Sequence, residues 1–287
     1  MDQITRYLAA DGAVRIILAE TREACEQARL THGASPVATA ALGRVLTATA
    51  MLASEMKAEG SVTVTIDGGG PMGRLCAVAR PDGSVKAYAG DPAVELPLRA
   101  DGKLDVGGAV GRTGRLTVVR DLGLREPYVG MVNLVSGEIA VDFAQYLTAS
   151  EQQNSLVALG VLVDTDYTVA AAGGVIVQPL PGCPESVLQA LELRAPLLGD
   201  ISRSLHGQSG DAFVRAVFEG MNPEAAGSTP VHFRCDCSRE RVEAALIAMG
   251  GEELRDMARQ DGGAQVCCHF CNTQYQFTAR ELEQMAG

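Results

Sequence analysis

Four cysteines near the end of the chain have the spacing of a metal site. Cys235 and Cys237 form a CxC pair, and Cys268 and Cys271 form a CxxC pair after 30 intervening residues. Zinc prefers a tetrahedron of thiolates, and two short cysteine motifs from separate segments supply four sulfurs without leaving a position for water. The spacing therefore predicts a closed, structural zinc site and not a hydrolytic one.

Three neighbouring residues leave the exact ligand set open at this point. Cys267 and His269 lie beside the second pair, and His232 lies shortly before the first. Each carries a sulfur or an imidazole nitrogen that zinc accepts, so each could replace a neighbouring cysteine. Four buried unligated thiols, or a catalytic CxxC dithiol alone, would also be compatible with part of the pattern, but neither accounts for both pairs.

The sequence around the cysteines predicts a compact variant of a zinc ribbon. Apolar residues recur at helical spacing between the pairs, glycines interrupt them, and a capping box precedes the last segment. The predicted elements are helices at 239–249 and 252–260, a hairpin of 266–268 with 274–277, and a short helix after Thr278 and Glu281.

Such a site has the chemistry of a redox switch. Thiolates that hold zinc also attack peroxide or hypochlorous acid, and oxidation to a sulfenic acid or disulfide removes the lone pairs that bind the metal. Zinc contributes about 10 to 16 kcal/mol in small peptides, whereas a module of about 55 residues has a net stability of about 3 to 8 kcal/mol. We therefore expect oxidation to eject zinc and unfold the module. A disulfide within either short motif would close a tiny, strained ring that reductant opens easily.

The rest of the chain predicts an α+β protein: a large mixed α/β domain at 1–180, a helical linker region at 181–230 and the zinc domain at 231–287. Ser35 and Pro36 have the residue types of an N-cap and first turn for a helix that runs to about Lys57. Further predicted elements are strands at 61–66, 75–79, 85–88, 116–120, 128–135, 156–163 and 168–177, and helices at 138–150, 184–206 and 210–219.

Composition limits the class of partner. The chain has 287 residues, of which 47% are hydrophobic and 21% charged, as in soluble globular proteins. Its net charge of -11 and its lack of a basic cluster argue against nucleic acid. Charged residues interrupt 1–20, which therefore lacks the continuous apolar stretch of a signal peptide, and the longest uncharged run, 167–184, is too short for a membrane helix. We expect a cytoplasmic protein without a membrane span.

Two patterns in the large domain suggest other functions and fail on context. Residues 68–73 satisfy GxGxxG, but a dinucleotide loop must open into a helix, and here a β-type run follows. His32, Glu138, Asp142 and Glu151 have residue types used in acid–base catalysis, but no spacing links them. We therefore predict neither nucleotide binding nor an enzyme.

With these motifs in hand, the chain resembles the redox-regulated 33 kDa chaperonin, or heat-shock protein 33, family. In the zinc module the resemblance covers 235–242 and 268–272, including the long spacing. In the large domain it covers Ser35-Pro36, 41–44, Glu59-Gly60, Gly70-Pro71, 126–128 with Gly130, 150–152, 172–174 and 178–182. It therefore spans nearly the whole chain.

The resemblance implies an ATP-independent holdase that is inactive when reduced and bound to one zinc ion. It implies zinc ligation by all four cysteines and, on oxidation, two disulfides that join Cys235 to Cys237 and Cys268 to Cys271. Zinc release, unfolding of the linker region, exposure of apolar surface to unfolding client proteins and a homodimeric active form are also implied. Cys267 departs from the family pattern. The rival functions are a zinc-ribbon adaptor and a thiol-disulfide oxidoreductase.

Overall fold

The computed structural model describes residues 1–57 and 59–287, which form two compact units, Met1–Arg234 and Cys235–Gly287. The strands are β1 (Gln3–Ala9), β2 (Val14–Glu20), β3 (Ser61–Asp67), β4 (Leu75–Ala79), β5 (Ser84–Ala89), β6 (Arg115–Asp121), β7 (Tyr128–Asn133), β8 (Leu156–Val163), β9 (Val169–Pro179), β10 (Glu224–Pro230), β11 (His232–Phe233), β12 (Gly263–Cys267) and β13 (Gln274–Thr278). The helices are α1 (Arg22–His32), α2 (Pro36–Ser54), α3 (Val106–Val110), α4 (Ala140–Ala149), α5 (Glu185–Arg194), α6 (Ile201–Gly207), α7 (Gly210–Val217), α8 (Arg239–Met249), α9 (Gly251–Gln260) and α10 (Ala279–Met285), with a 3-10 turn at Ala195–Leu198.

Helix α2 is the centre of the first unit. Ser35 caps it as predicted, because its side chain accepts a hydrogen bond from the backbone N–H of Ala38 at 3.2 Å, and Pro36 occupies the first turn. The helix contacts β3, β4 and β5 on one side and β8 and β9 on the other. Of the helices in the described residues, α2 alone is long and apolar enough to cross a membrane, but 89% of that window is buried, as in a core helix.

The first sheet has the strand order β10-β1-β2-β9-β8 and is antiparallel throughout. Successive side chains of β2 point to opposite faces of the sheet, and both faces are buried. Ile17 and Ala19 belong to the core around α2, while Ile16 and Leu18 belong to a second apolar cluster on the opposite face. That second cluster includes Leu191 of α5, Ile201 of α6 and Phe213 of α7, so these three helices cover this face; we call them the covering helices.

The second sheet has the order β11-β5-β4-β3-β6-β7, in which β11 is parallel to β5 and the other pairs are antiparallel. Val62, Val64 and Ile66 of β3 point into the core, and the threonines between them are half-buried. The glycine-rich segment 68–73 joins β3 to β4. This is the strand-turn-strand arrangement that the sequence predicts, and the structure has no helix there to receive a pyrophosphate.

The prediction for the end of the linker region is partly wrong. Residues 185–217 are helical as expected, but Glu224–Pro230 forms strand β10, which pairs with β1 at the far end of the chain. Its side chains are mostly exposed, so no apolar alternation marks it in the sequence. Strand β11 also belongs to the first unit, and the second unit begins at Cys235 instead of residue 231. That 181–230 acts as a linker stays a prediction.

Candidate metal centre

The second unit has a very small apolar core. Two helices, α8 and α9, precede the β12–β13 hairpin, and α10 follows it. The buried core consists of Leu246, Leu254, Ala258, Phe277 and Leu282. The hairpin and the capping box of Thr278 and Glu281 confirm the sequence predictions for these elements. So few buried side chains leave a unit of this size dependent on some further source of stability.

The first cysteine pair lies in the extended segment that leads into α8. Ser238 follows Cys237 directly and caps the helix, accepting from the backbone N–H of Arg241 at 3.3 Å. Arg241 reaches back to Asp236, between the two cysteines, and forms bonds of 2.9 Å to its carbonyl oxygen and 2.5 Å to its carboxylate. These contacts join the CxC segment to the start of α8.

The second pair lies in a tight turn between β12 and β13. The backbone N–H groups of Cys271 and Asn272 donate to the carbonyl oxygen of Cys268, at 3.3 and 2.8 Å. The Cys268 N–H donates in turn to the carbonyl of Thr273 at 2.9 Å. Asn272 has a φ of 57°, in the left-handed region that Asn tolerates better than most residues. This turn brings Cys268 and Cys271 to the same side.

The two pairs meet in a single cluster. The Sγ atoms of Cys235, Cys237, Cys268 and Cys271 all lie within 4.8 Å of one another. The Cys235 and Cys268 sulfurs are 3.7 Å apart, and those of Cys237 and Cys271 are 3.4 Å apart. A tetrahedron with Zn–S bonds of about 2.3 Å has sulfur–sulfur edges of about 3.8 Å. The four cysteines therefore lie close enough together to hold a metal ion, and their soft thiolates and spacing fit zinc.

Burial and hydrogen bonds shift the pKa values of the groups in this cluster. Burial raises the pKa of the Cys235 and Cys268 thiols. Burial acts in the same direction on Cys271, but hydrogen bonds from the side chain and backbone of Thr273 outweigh it and lower the pKa of Cys271 to about 7. The hydroxyl of Tyr275 lies 3.1 Å from the Cys237 sulfur, and this bond raises the pKa of Tyr275 to about 12.

The remaining candidate ligands are not part of this group. Among residues 1–57 and 59–287, the cluster of potential metal ligands consists of the four cysteines alone. Cys267 is exposed at the end of β12, and its sulfur lies 4.0 Å from the carbonyl oxygen of Cys268. His269 is not a member of the cluster, and His232 forms part of β11 in the first unit.

The four candidate acid–base residues occupy structural positions in the first unit. The imidazole of His32 contacts a backbone carbonyl of β5 at 2.9 Å, and Glu138 forms ion pairs with two arginines. Asp142 is fully buried and accepts hydrogen bonds from three backbone N–H groups of the turn before α4. Glu151 pairs with an arginine and a tyrosine hydroxyl. The structure does not bring the four together.

Comparison with known proteins assigns this arrangement to a family. A family model described as Hsp33 protein matches residues 2–278. The chain belongs to the Hsp33 family. Among its Hsp33 relatives, the 33 kDa chaperonins of Desulforamulus reducens and Bacillus subtilis are each 44% identical, over 99% of this chain and 97% of theirs. The crystal structure of the Hsp33 homologue from Thermotoga maritima superimposes with a TM-score of 0.91 at 37% identity, over 99% of this chain and 97% of that one. The resemblance and the α+β fold are confirmed.

The ligand set can be tested by removing single thiols. The substitution Cys237→Ala removes one sulfur from the cluster. We expect zinc affinity to fall by several orders of magnitude, because a closed site loses a quarter of its ligands. Cys267→Ala removes the neighbouring exposed thiol and should leave one zinc per chain. Elemental analysis and competition with a chromogenic chelator measure both. A loss of zinc from the Cys267 variant would show that Cys267 is a ligand.

Tyr275 supplies a second test, which leaves all four sulfurs in place. Hydrogen bonds to ligand atoms orient the ligands, and their removal typically costs about 10- to 100-fold in metal affinity. We expect Tyr275→Phe to weaken zinc binding by about that factor, measured by chelator competition. Tyr128→Phe, at an exposed tyrosine of β7, is the matched control and should bind zinc like the wild type. Equal affinities in all three proteins would contradict a role for the Tyr275 hydroxyl.

Proposed function

We propose that the chain is a redox-regulated, ATP-independent holdase whose switch is the Cys235–Cys237–Cys268–Cys271 cluster. The observation that carries the proposal is the meeting of four thiols on a unit with five buried core residues. Bound zinc would tie the two motifs together and add about 10 to 16 kcal/mol, as it does in small peptides. The name chaperonin, which the relatives carry, supports binding of unfolded proteins.

The switch reaction is a two-electron oxidation of each cysteine pair. A thiolate attacks the peroxide oxygen, water or hydroxide leaves, and the resulting sulfenic acid condenses with the second thiol and expels water. Two thiols thereby lose two electrons and two protons to the oxidant and gain one S–S bond. We propose that the bonds join Cys235 to Cys237 and Cys268 to Cys271. Disulfide sulfurs no longer offer thiolate charge to a metal ion.

Unfolding of the second unit follows from its composition. Once its sulfurs are paired as disulfides, Leu246, Leu254, Phe277 and the other core side chains must stabilise it alone. The side chain of Arg239 also joins α8 to Glu281 at 2.7 Å and lies over the Phe277 ring, but exposed ion pairs of this kind add at most about 1 kcal/mol. We expect the oxidised unit to lose its fold.

The client surface is proposed to be the face of the first sheet under the covering helices. Ile16, Leu18, Val175 and Val177 are buried there by α5, α6 and α7. We expect the loss of order to extend through 181–230, which frees these side chains for contact with apolar segments of unfolding proteins. The active form is expected to be a homodimer in the cytoplasm, with no enzymatic step, and without nucleic acid or membrane as a partner.

The decisive experiment follows zinc and client protection in one preparation. Reduced, zinc-loaded protein is treated with peroxide or hypochlorous acid, zinc release is measured with a chromogenic chelator, and aggregation of a thermally unfolding test protein is measured by light scattering. We expect about one zinc per chain to be released as protection appears, and both to revert with a thiol reductant and zinc. Release of zinc without protection would favour the adaptor function, and insulin reduction by the zinc-free thiols would favour an oxidoreductase.

Arg194 links two of the covering helices to each other. Its guanidinium donates to three carbonyl oxygens, of Ala190 at 2.9 Å, Val217 at 3.0 Å and Glu219 at 2.8 Å, and so joins the ends of α5 and α7. Hydrogen bonds from a charged donor contribute about 1.5 to 3 kcal/mol. We expect Arg194→Met to speed amide exchange of 185–217 in the reduced protein at least about tenfold, and to activate the chaperone at lower oxidant concentration.

Arg215→Met is the matched control for this variant. Arg215 also lies on a covering helix, but it is 60% exposed and pairs with Asp211 one turn away, an arrangement that contributes less than about 1 kcal/mol. Exchange and activation should match the wild type. If the Arg194 and Arg215 variants behave alike, the three carbonyl contacts do not restrain the covering helices.

A further inference from the structure

A cavity of about 290 Å³ lies where helix α6 meets the body of the first unit. Its walls come from α2, from the loop at 102–104, from 159–163 of β8 and from 199–203 at the start of α6. Strand β8 is the last strand of its sheet and pairs with β9 alone among the described strands, so part of its backbone has no strand partner. The cavity is large enough for a small ion with several waters, at about 30 Å³ per water.

Positive charge dominates the lining. Arg44, Lys103 and Arg203 contribute three cations from three separate segments, against the single carboxylate of Asp200. Asp200 is shared, at 3.3 Å from Lys103 and 3.9 Å from Arg203. Even when Glu138, which pairs with Arg44 from outside the lining, is included, the site keeps one positive charge. The net charge of the whole chain is -11, so this local excess is against the trend.

One donor of Arg44, an arginine that lines the cavity, lacks a partner. The Nη1 atom of Arg44 bonds the Glu138 carboxylate at 2.8 Å, but the Nε atom is buried and has no hydrogen-bond acceptor among the residues that the structure describes. Leaving a buried donor of a charged group unpaired is costly, so a native protein normally supplies an acceptor in the form of water, an ion or a ligand. An oxyanion bound beside Arg44 supplies a charge opposite to that of the guanidinium.

We propose that this cavity binds a small oxyanion of the phosphate class, held by Arg44, Lys103 and Arg203. Arginine and lysine are the usual partners of phosphate oxygens, and three of them converge here. Because Arg203 belongs to α6 while Arg44 and Lys103 belong to the body of the unit, the anion joins a covering helix to the core. The anion therefore binds only while α6 is docked.

Through this linkage the bound anion opposes release of α6 and so inhibits activation, an effect we call the brake. A ligand that binds only the docked state lowers the population of the open state by the factor 1 + [L]/Kd. If oxidation frees the covering helices, which rests on the proposed function, phosphate raises the oxidant concentration required. The binding itself does not rest on the proposed function, because it concerns the reduced, folded protein.

The site is tested by measuring amide exchange of residues 201–207 in the reduced, zinc-loaded full chain. Inorganic phosphate replaces chloride at constant ionic strength. Constant ionic strength keeps general screening unchanged. We expect exchange to slow saturably, by about tenfold at ten times the phosphate Kd. Lys103→Gln and Arg203→Gln, which alter half-exposed or exposed side chains, should each weaken the phosphate effect, and the double variant should abolish it.

Arg215→Gln is the control, because Arg215 is similarly exposed on a covering helix but does not line the cavity. It should respond to phosphate like the wild type. No phosphate effect in the wild type, or an equal loss of the effect in the Arg215 variant, overturns the site. A phosphate effect on exchange without any change in the oxidant concentration for client protection overturns the brake. Absence of client protection in every condition contradicts the proposed function and leaves the exchange result standing.

Discussion

The arrangement of the second unit depends on four sulfur atoms being held within 4.8 Å of one another. Four thiolates at this separation repel each other, and a cation in their midst converts repulsion into attraction. Around them the chain provides a helix cap, a tight turn and five buried side chains, which orient the sulfurs but bury little apolar surface. The donor atoms that could hold a metal ion are thus concentrated at one point, in a unit whose own apolar core is small.

The first unit is stabilised in the opposite way. Helix α2 is buried along almost its whole length between two sheets, and most of its buried side chains are apolar. The buried hydroxyl of Thr47 bonds that of Thr21 at 2.7 Å. The two buried cysteines of the first unit, Cys25 and Cys76, have pKa values raised by burial, which keeps them as unreactive thiols.

Local chemistry explains which parts of this architecture the sequence predicts. The CxC pair, the CxxC pair, the Ser35 cap and the capping box of Thr278 each involve residues within a few positions of each other, and all are present in the structure. The meeting of the two pairs across 30 residues follows from the four ligands that a closed zinc site requires. Strands β1, β2 and β10 are not among the elements that the sequence predicts. Strand β10 is stabilised by pairing with β1 more than 200 residues away, and it carries no apolar alternation that would mark it as a strand. The cationic cavity was also missed, since Arg44, Lys103 and Arg203 meet only in three dimensions.

The covering helices combine features that suit a reversible cover. Phe213, Phe218 and Ile201 insert into the apolar cluster on the sheet, but Leu193 and Leu197 remain 80% and 58% exposed, so much of the apolar surface of this segment contributes nothing to docking. Arg194 links two of the covering helices to each other, and the ion pair of Lys103 with Asp200 joins the loop at 102–104 to the start of α6 near solvent, where such a pair contributes at most about 1 kcal/mol. The sheet beneath the covering helices is also buried on its other face by α2, so β1, β2, β9 and β8 have packing contacts that do not depend on these helices.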